Sequence, residues 1–408
     1  MQPFPPGQIN FPLKSQASAR KPFRFVVCGT RSNPLEYQYH PKLSQRVEGM
    51  EEPQHSSTQP YLPSDEYRPE PVPEPAPPAW MDGSIRIGIH TSIAGEIASA
   101  LDLAYNLGAN ALQIFSASPR MWRRPANGAK GVDPSALRFR ARREELKLGP
   151  LVIHDNYLIN LASPDRILRV RSIQAFHEEI VRAIALGADF LVAHPGSGKG
   201  ASMSAAISAI ADGLKQASRG VNFGNLRILL ENTAGQGTSV GSRFAEIKSI
   251  IDQCPELPLG VCVDTAHLFA AGHDLRTAEG LEGALAEIDA TVGLARVHVI
   301  HTNDSKSALG SHLDRHEHIG KGKIGRDGFR RILNHPRLAG RAFILETPID
   351  RPGDDRRNIE TLWRLVGITP RRVGTVADGF PIRGSAKKKS RIIRGHRSSA
   401  KKSRRRKR

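Results

Sequence analysis

Leu259-Gly260-Val261-Cys262-Val263-Asp264, followed at once by Thr265-Ala266-His267, sets a short apolar run, a carboxylate at its end and a helical pattern in one stretch. Seven other runs share this texture: Ile85–His90, Ala111–Phe115, Leu151–His154, Phe190–His194, Arg227–Glu231, Arg296–His301 and Ala342–Glu346. Each is short, apolar or β-branched, and reads as a buried strand. Amphipathic stretches lie between them, among them 95–107, 134–148, 165–186 and 202–217. Successive runs end 25 to 45 residues apart, about one βα unit each. Eight alternating units over roughly 250 residues or more predict a (β/α)8 TIM barrel. The structural rival, a doubly wound sheet, has no reason to stop at eight strands.

In such a barrel the C-terminal strand ends converge on one face, where chemistry is done. Seven of the eight runs end on a possible ligand or acid/base: His90, His154, His194, Glu231, Asp264, His301 and Glu346. Only the run ending at Phe115 does not. His267 follows Asp264 by three residues, and Asp314 and His316 stand two apart, so in extended chain they point the same way. Any one such residue is more often a cap or a hydrogen-bonding group than a ligand. The set is different: with His90 left aside, five histidines and four carboxylates gather on one rim. Imidazoles with carboxylates and no thiolates suit zinc, with manganese or iron after it. Nine ligands exceed what one or two ions need, whereas three ions with one bridging carboxylate account for them. The glycines in Glu231-Asn232-Thr233-Ala234-Gly235-Gln236-Gly237 match neither a dinucleotide fingerprint nor a phosphate loop. They read as a tight turn holding Glu231.

The flanks are of another kind. Residues 1–80 hold sixteen of the 29 prolines, and the stretch from Glu70 to Pro78 reads as an extended, disordered linker. Met81 stands just before the first strand-like run and is a candidate native start. The barrel domain is expected over 81–370 and a basic, disordered tail over 371–408. Of a net charge of +19, fourteen Lys and Arg lie between Arg383 and Arg408 with no Asp or Glu, which leaves about +5 on the rest. A polyanion partner is expected, with the body only mildly basic. Cys28, Cys254 and Cys262 form no CxxC pair and no disulfide framework, which fits a reduced, cytoplasmic setting. No run is long enough to span a membrane, and the N-terminus has no signal-peptide pattern.

Several strand ends sit inside longer motifs. These are His154-Asp155-Asn156-Tyr157-Leu158-Ile159-Asn160-Leu161, Ala193-His194-Pro195-Gly196-Ser197 and the Glu231–Gly237 turn. Cys262-Val263-Asp264-Thr265-Ala266-His267, His301-Thr302-Asn303-Asp304-Ser305-Lys306, Asp314-Arg315-His316-Glu317-His318-Ile319-Gly320 and Leu345-Glu346-Thr347 complete the series. In these motifs and their order, over about residues 84–368, the chain resembles the endonuclease IV family, the second class of apurinic/apyrimidinic endonucleases. The resemblance implies three zinc ions: one on His154, His194 and Glu231, a second on Glu231, Asp264, His301 and Glu346, a third on His267, Asp314 and His316. Glu231 would bridge the first two, and Glu231 and Glu346 would be the catalytic carboxylates. The implied reaction is hydrolysis of the phosphodiester 5′ to an abasic site in double-stranded DNA, leaving a 3′-hydroxyl and a 5′-deoxyribose phosphate. Clearing of blocked 3′ ends is the related activity. Arg120, Tyr157 and Leu158 match the family positions that enter or pack against the distorted duplex, and a monomer is implied. The family usually has Lys and Asn where Ala117 and Ser118 stand.

Two other readings compete. A sugar isomerase or epimerase on a similar barrel also gathers His and carboxylates, but around one or two ions in a small closed pocket. A non-enzymatic DNA-binding protein would rely on the basic tail, and the intact ligand set argues against it. If the tail adds affinity and not chemistry, removing residues 383–408 flattens the salt dependence of DNA binding and leaves single-turnover cleavage nearly unchanged. An unchanged salt slope would make the tail an extension with no part in binding.

Overall fold

The computed structural model describes residues 83–122 and 133–369. The expectations of disorder for 1–80 and for the tail lie outside the described residues, as do residues 123–132.

In chain order the elements are β1 (Arg86–His90), α1 (Ser99–Leu107), β2 (Ala111–Phe115), α2 (Pro134–Leu146), β3 (Leu151–His154), α3 (Arg166–Leu186), β4 (Phe190–Ala193) and α4 (Met203–Ala217). There follow β5 (Arg227–Glu231), α5 (Phe244–Asp252), β6 (Leu259–Asp264), α6 (Thr265–Ala271), α7 (Ala278–Thr291) and β7 (Val297–His301). The chain ends in β8 (Asp304–Ser305), β9 (His316–Glu317), α8 (Gly325–Leu333), β10 (Ala342–Leu345) and α9 (Asp354–Leu365). Eight strands close in the order β1-β10-β7-β6-β5-β4-β3-β2, every pair parallel. The TIM barrel expected from the spacing of the runs is the architecture observed.

Strand parity explains how the barrel makes a site. Alternate residues of a strand face opposite sides. One parity packs outward against the helices in a large apolar cluster that includes Ile87, Ile114, Ile153, Ile228 and Val261. The other fills the barrel with a separate, smaller cluster: Ala111, Val152, Phe190, Val192, Leu229, Cys262, Val299, Ala342 and Ile344. Burying each large aliphatic side chain contributes about 1.5–3 kcal/mol, so a single-residue register slip, which exchanges the two faces, is strongly disfavoured. Two residues beyond these inward positions, on the same parity, stand Gln113, His154, His194, Glu231, Asp264, His301 and Glu346. The polar layer thus sits directly on the apolar one at the mouth.

Helix starts are set by local hydrogen bonds. Asp165 caps α3 through Ile167 and Leu168 N–H at 2.9 and 3.0 Å, and Ser202 caps α4 through Ala205 N–H at 3.2 Å. Of the boundaries that differ from the sequence reading, three have a clear local cause. The helix expected from Gly95 begins at Ser99, because Gly95 adopts φ +94° and cannot lie in a right-handed helix. The run expected to reach His194 leaves the ladder at Ala193, before Pro195, which has no N–H to give. The last strand stops at Leu345, because Glu346 N–H turns to Asn303 Oδ1 at 2.8 Å.

Beyond β7 the chain makes an excursion with no counterpart in the sequence reading. Asp304 and Ser305 pair antiparallel with Glu317 and His316. The Asp304 carboxylate accepts N–H bonds from Ser305, Gly320, Gly322 and Ile324 at 2.9–3.0 Å, pinning the return of the loop. Asp314 and His316 are carried back over the mouth by this hairpin.

Gly88 lies on the inward parity of β1. A Cβ there would stand 2.5 Å from Ile344 Cδ1 and 2.8 Å from the Ala111 backbone. Gly88→Ala is expected to lower stability by about 1–3 kcal/mol, read by urea unfolding. An unchanged midpoint would mean the inner layer is looser than its contacts imply.

Candidate metal centre

Glu231 ends β5 completely buried. Its Oε2 stands 3.4 Å from His154 Nε2 and 3.6 Å from His194 Nε2, yet accepts no hydrogen bond. Its Oε1 meets His301 Nδ1 at 2.9 Å and His267 Nδ1 at 3.4 Å. Atoms bound to a tetrahedral zinc at 2.0–2.1 Å stand roughly 3.3 Å apart, so the spacing around Oε2 is that of ligands round a common ion. An unpartnered carboxylate oxygen in the dry interior is otherwise costly.

The remaining predicted residues converge on the same rim. His301 Nδ1 is 3.2 Å from Glu346 Oε2. His267 Nε2 is 3.2 Å from Asp314 Oδ2, and His316 Nε2 is 3.3 Å from Asp314 Oδ1 and 3.7 Å from Asp264 Oδ2. His316 Nε2 is buried and has no hydrogen-bond partner. Four groups have ligand atoms within 4.8 Å of one another: His154, His194 and Glu231; Glu231, Asp264, His301 and Glu346; Asp264, His267 and His316; and Glu231, Cys262 and His301. Asp264 enters the third group where the family resemblance has Asp314, which stands beside the same two imidazoles. Cys262 was absent from the sequence-derived set. Burial pushes its thiol up to about 12, so it stays protonated and is a poor thiolate donor.

Four of the five imidazoles are aimed by what the other nitrogen meets. Nδ1 of His154, His267 and His316 lies 3.0, 2.9 and 3.2 Å from the carbonyls of Asp155, Asn232 and Glu346. His301 Nε2 lies 2.8 Å from Gln113 Oε1. A ring nitrogen facing a carbonyl keeps a proton, which leaves the opposite nitrogen, turned into the cluster, as the one that can give its lone pair to an ion once its own proton is displaced. This is the usual arrangement of metal-ligating histidines. Asp264 serves twice: Oδ1 caps α6 through His267 N–H at 2.7 Å, and Oδ2 faces the cluster, held by Asn303 Nδ2 at 2.6 Å. One capping turn therefore places both Asp264 and His267.

Sequence reasoning passed over Gln113, Asn303 and Asp155. Gln113 was hidden two residues inside β2, although it is the one polar residue of Ala-Leu-Gln-Ile-Phe and shares the parity of Ala111. His90, left out of the ligand set, comes within 3.4 Å of Glu346 Oε1. Tyr157 is 60% exposed at the rim, its ring edge-on to Phe115 at 5.1 Å; Leu158 beside it is half-buried and Arg120 exposed. The shallow cavity of about 280 Å³ over the cluster is lined by His90, His154, Tyr157, His194, Asp314 and Glu346 among others.

Residues 101–365 match the family described as a xylose isomerase-like TIM barrel, AP_endonuc_2. A probable endonuclease 4 of Solibacter usitatus is 52% identical over 287 residues, 69% of this chain and 97% of that protein. The chain belongs to the endonuclease IV family. The crystal structure of endonuclease IV from Thermus thermophilus covers 69% of this chain and 99% of its own, at 39% identity and a TM-score of 0.61. A D-tagatose 3-epimerase-like protein superposes over 69% of this chain and 97% of its own with a TM-score of 0.51 at 17% identity, and shares the fold alone. The alternative of a sugar isomerase therefore has the barrel in its favour and little else.

Electrostatics ties metal binding to protons. Burial opposes charge on His154, but Glu231, Glu346 and Asp155 outweigh it and raise its pKa to about 9. Burial likewise opposes charge on His267 and His301, but Asp264, Asp314 and Glu231 raise the first, and Cys262, Glu231 and Glu346 the second, well above the ordinary value. Near pH 7 these rings hold protons that a metal ion must displace. Loading the metal-free protein is expected to release more than one proton per chain and to tighten as pH rises. Calorimetry in buffers of different ionisation enthalpy measures this, and zero net release would contradict it.

Proposed function

We infer that the protein is a metal-dependent AP endonuclease, a DNA-cleaving hydrolase that cuts the phosphodiester 5′ to abasic sites in double-stranded DNA and also clears blocked 3′ ends. The observation that carries the reading is Glu231, one buried carboxylate shared by three of the four ligand groups, in a chain of the endonuclease IV family. We assign three zinc ions, with manganese acceptable at some sites: the first to His154, His194 and Glu231, the second to Glu231, Asp264, His301 and Glu346, the third to His267, Asp314 and His316. The spacing, the unpartnered Glu231 Oε2 and His316 Nε2, and the imidazole–carboxylate chemistry of the set support this assignment. Bound zinc would supply Lewis acidity, neutralising phosphate charge and letting water act as nucleophile near neutral pH. No Ser, Cys or Lys nucleophile is then needed.

The chain's own residues do the positioning. Glu231 sets the spacing of the first two groups, and Glu346, held by Asn303 and Gln113, keeps the second in register. The open mouth suits a nucleotide turned out of a duplex, and an unpaired sugar costs least to extrude. Arg120, Tyr157 and Leu158 are assigned to the gap left in the stack. The exposure of Tyr157, and its nearness to the charge of Arg120, support that role over one in the core. The buried Cys254 and Cys262 form no disulfide, which fits a reducing cytoplasm, and a monomer is what the family resemblance implies; among the described residues no helix is long and apolar enough to cross a membrane.

Cleavage of a duplex with a single abasic site, with metal content measured on the same sample, tests the reading. Activity without added Mg²⁺ and about three ions per chain are expected; one ion per chain, or sugar turnover without cleavage, would overturn it. Glu231→Gln is expected to lower kcat by orders of magnitude while DNA binding largely persists. For Tyr157→Ala with Leu158→Ala, weaker discrimination between abasic and intact duplex is expected at unchanged zinc content. A loss of stability of the about 2–5 kcal/mol seen for core truncations would return both residues to packing.

A further inference from the structure

Gln113 is completely buried and is met by side chains from three other strands. Its Nε2 donates to Glu346 Oε1 at 2.6 Å, just past the end of β10, and lies 3.0 Å from His90 Nδ1 of β1. Its Oε1 lies 2.8 Å from His301 Nε2 of β7. Those strands and its own, β2, are four consecutive staves of the closed barrel. Each polar atom has work: two amide protons go to two acceptors, and the carbonyl takes the ring proton of His301.

We propose that Gln113 is the positioning residue for the group formed by Glu231, Asp264, His301 and Glu346. It grips two of the four members directly, an imidazole and a carboxylate, through opposite ends of one rigid amide. The carbonyl end fixes a proton on His301 Nε2 and so keeps Nδ1, which faces Glu231 Oε1 and Glu346 Oε2, as the atom whose proton an ion would displace. The amide end occupies Glu346 Oε1 and leaves Oε2 for the cluster. Neither ligand can rotate without breaking a bond to the same side chain, so both are set in place before any ion arrives. A carboxylate here would repel Glu346, and an apolar residue would leave the His301 N–H and Glu346 Oε1 buried and unpaired. An uncharged side chain with a donor and an acceptor meets both demands, and the length of Gln spans from β2 across β1.

The inference rests on the metal-centre reading, and its test is separable from that reading because it compares a variant with the unsubstituted protein. Gln113→Met keeps the length and volume of the side chain and removes the amide. Zinc-loaded protein of both kinds is titrated with a graded series of chelators, and the zinc retained is counted by elemental analysis. One ion of the set is expected to leave Gln113→Met first, with affinity lowered about 10- to 100-fold, the range for losing an orienting partner of a ligand. The other ions are expected to hold as in the unsubstituted protein, with the metal-free form still folded but of lower thermal midpoint, because two buried groups lose their partner. If Gln113 merely packs the core, the methionine variant retains every ion with unaltered affinity, and the proposal is overturned. Should the methionine variant fail to fold, Gln113→Leu carries the same comparison with the same two outcomes. If the unsubstituted protein binds fewer than three ions, the trinuclear assignment fails, while the role of Gln113 is still decided by the difference between the two proteins.

Discussion

A carboxylate sealed in the interior needs positive charge beside it, and Glu231 is that carboxylate. Burial alone would drive its pKa up, yet His301 and His194 hold it well below the ordinary carboxylate value. The effective cost of taking a charged group out of water is several kcal/mol even after relaxation. The barrel meets this demand by turning four imidazoles, His154, His194, His267 and His301, towards one Glu side chain. Protons and metal ions compete for the same lone pairs, so the centre is built to be occupied by cations of one sort or another. The apolar layer directly beneath, from Ala111 to Ile344, keeps water from solving the problem instead.

This constraint accounts for much that lies outside the ligand set. An imidazole can turn either nitrogen to an ion, and its direction must be imposed. Here the imposition comes largely from main chain just past the strand ends: the carbonyls of Asp155, Asn232 and Glu346. Such carbonyls are fixed by the barrel itself and do not depend on a side chain. Asn232 and Asn303 add a second tier, gripping Asp264 through its N–H and its Oδ2 and bringing β5, β6 and β7 into one hydrogen-bonded arc. The candidate ligands are therefore held by hydrogen bonds from behind, and the open rim is left to Tyr157 and Asp314.

The barrel was legible because a buried parallel strand is short, apolar and bounded, and eight such runs recur at the spacing of a βα unit. The strand-end residues were legible because imidazoles and carboxylates are rare at the end of an apolar run. Gln113 and Asn303 were not, since an amide signals neither an acid, a base nor a ligand. Their importance lies in what they touch. The β8–β9 pairing escaped because two-residue strands carry no periodicity, although Asp314 and His316 were recognised by type. Cys262 was visible as a residue but not as a neighbour of Glu231 and His301, because facing inward is a property of register. The choice between nuclease and sugar isomerase did not lie in the barrel, which both share. It lay in the motifs beyond the strand ends, where the excursion after β7 adds Asp314 and His316.

The loop that carries Arg120 departs from the family resemblance at two positions. Ala117 and Ser118 depart from the usual residues of this loop, and neither can reproduce the contacts of a lysine or an asparagine. The loop is nevertheless tied from another direction. Asn156 Nδ2 donates to the carbonyls of Ser118 and Met121 at 3.2 and 3.1 Å, bracketing Arg120, while Asn156 Oδ1 accepts the N–H of Leu158 at 2.8 Å. Because the acceptors on the Arg120 loop are backbone carbonyls, the clamp is indifferent to which side chains occupy 117 and 118. It also joins the Arg120 loop to the Tyr157–Leu158 loop through one side chain, directly beyond the candidate ligand His154. The two rim segments assigned to the duplex are thus held by reference to the metal centre, and the side chains of 117 and 118 are free to vary without moving either.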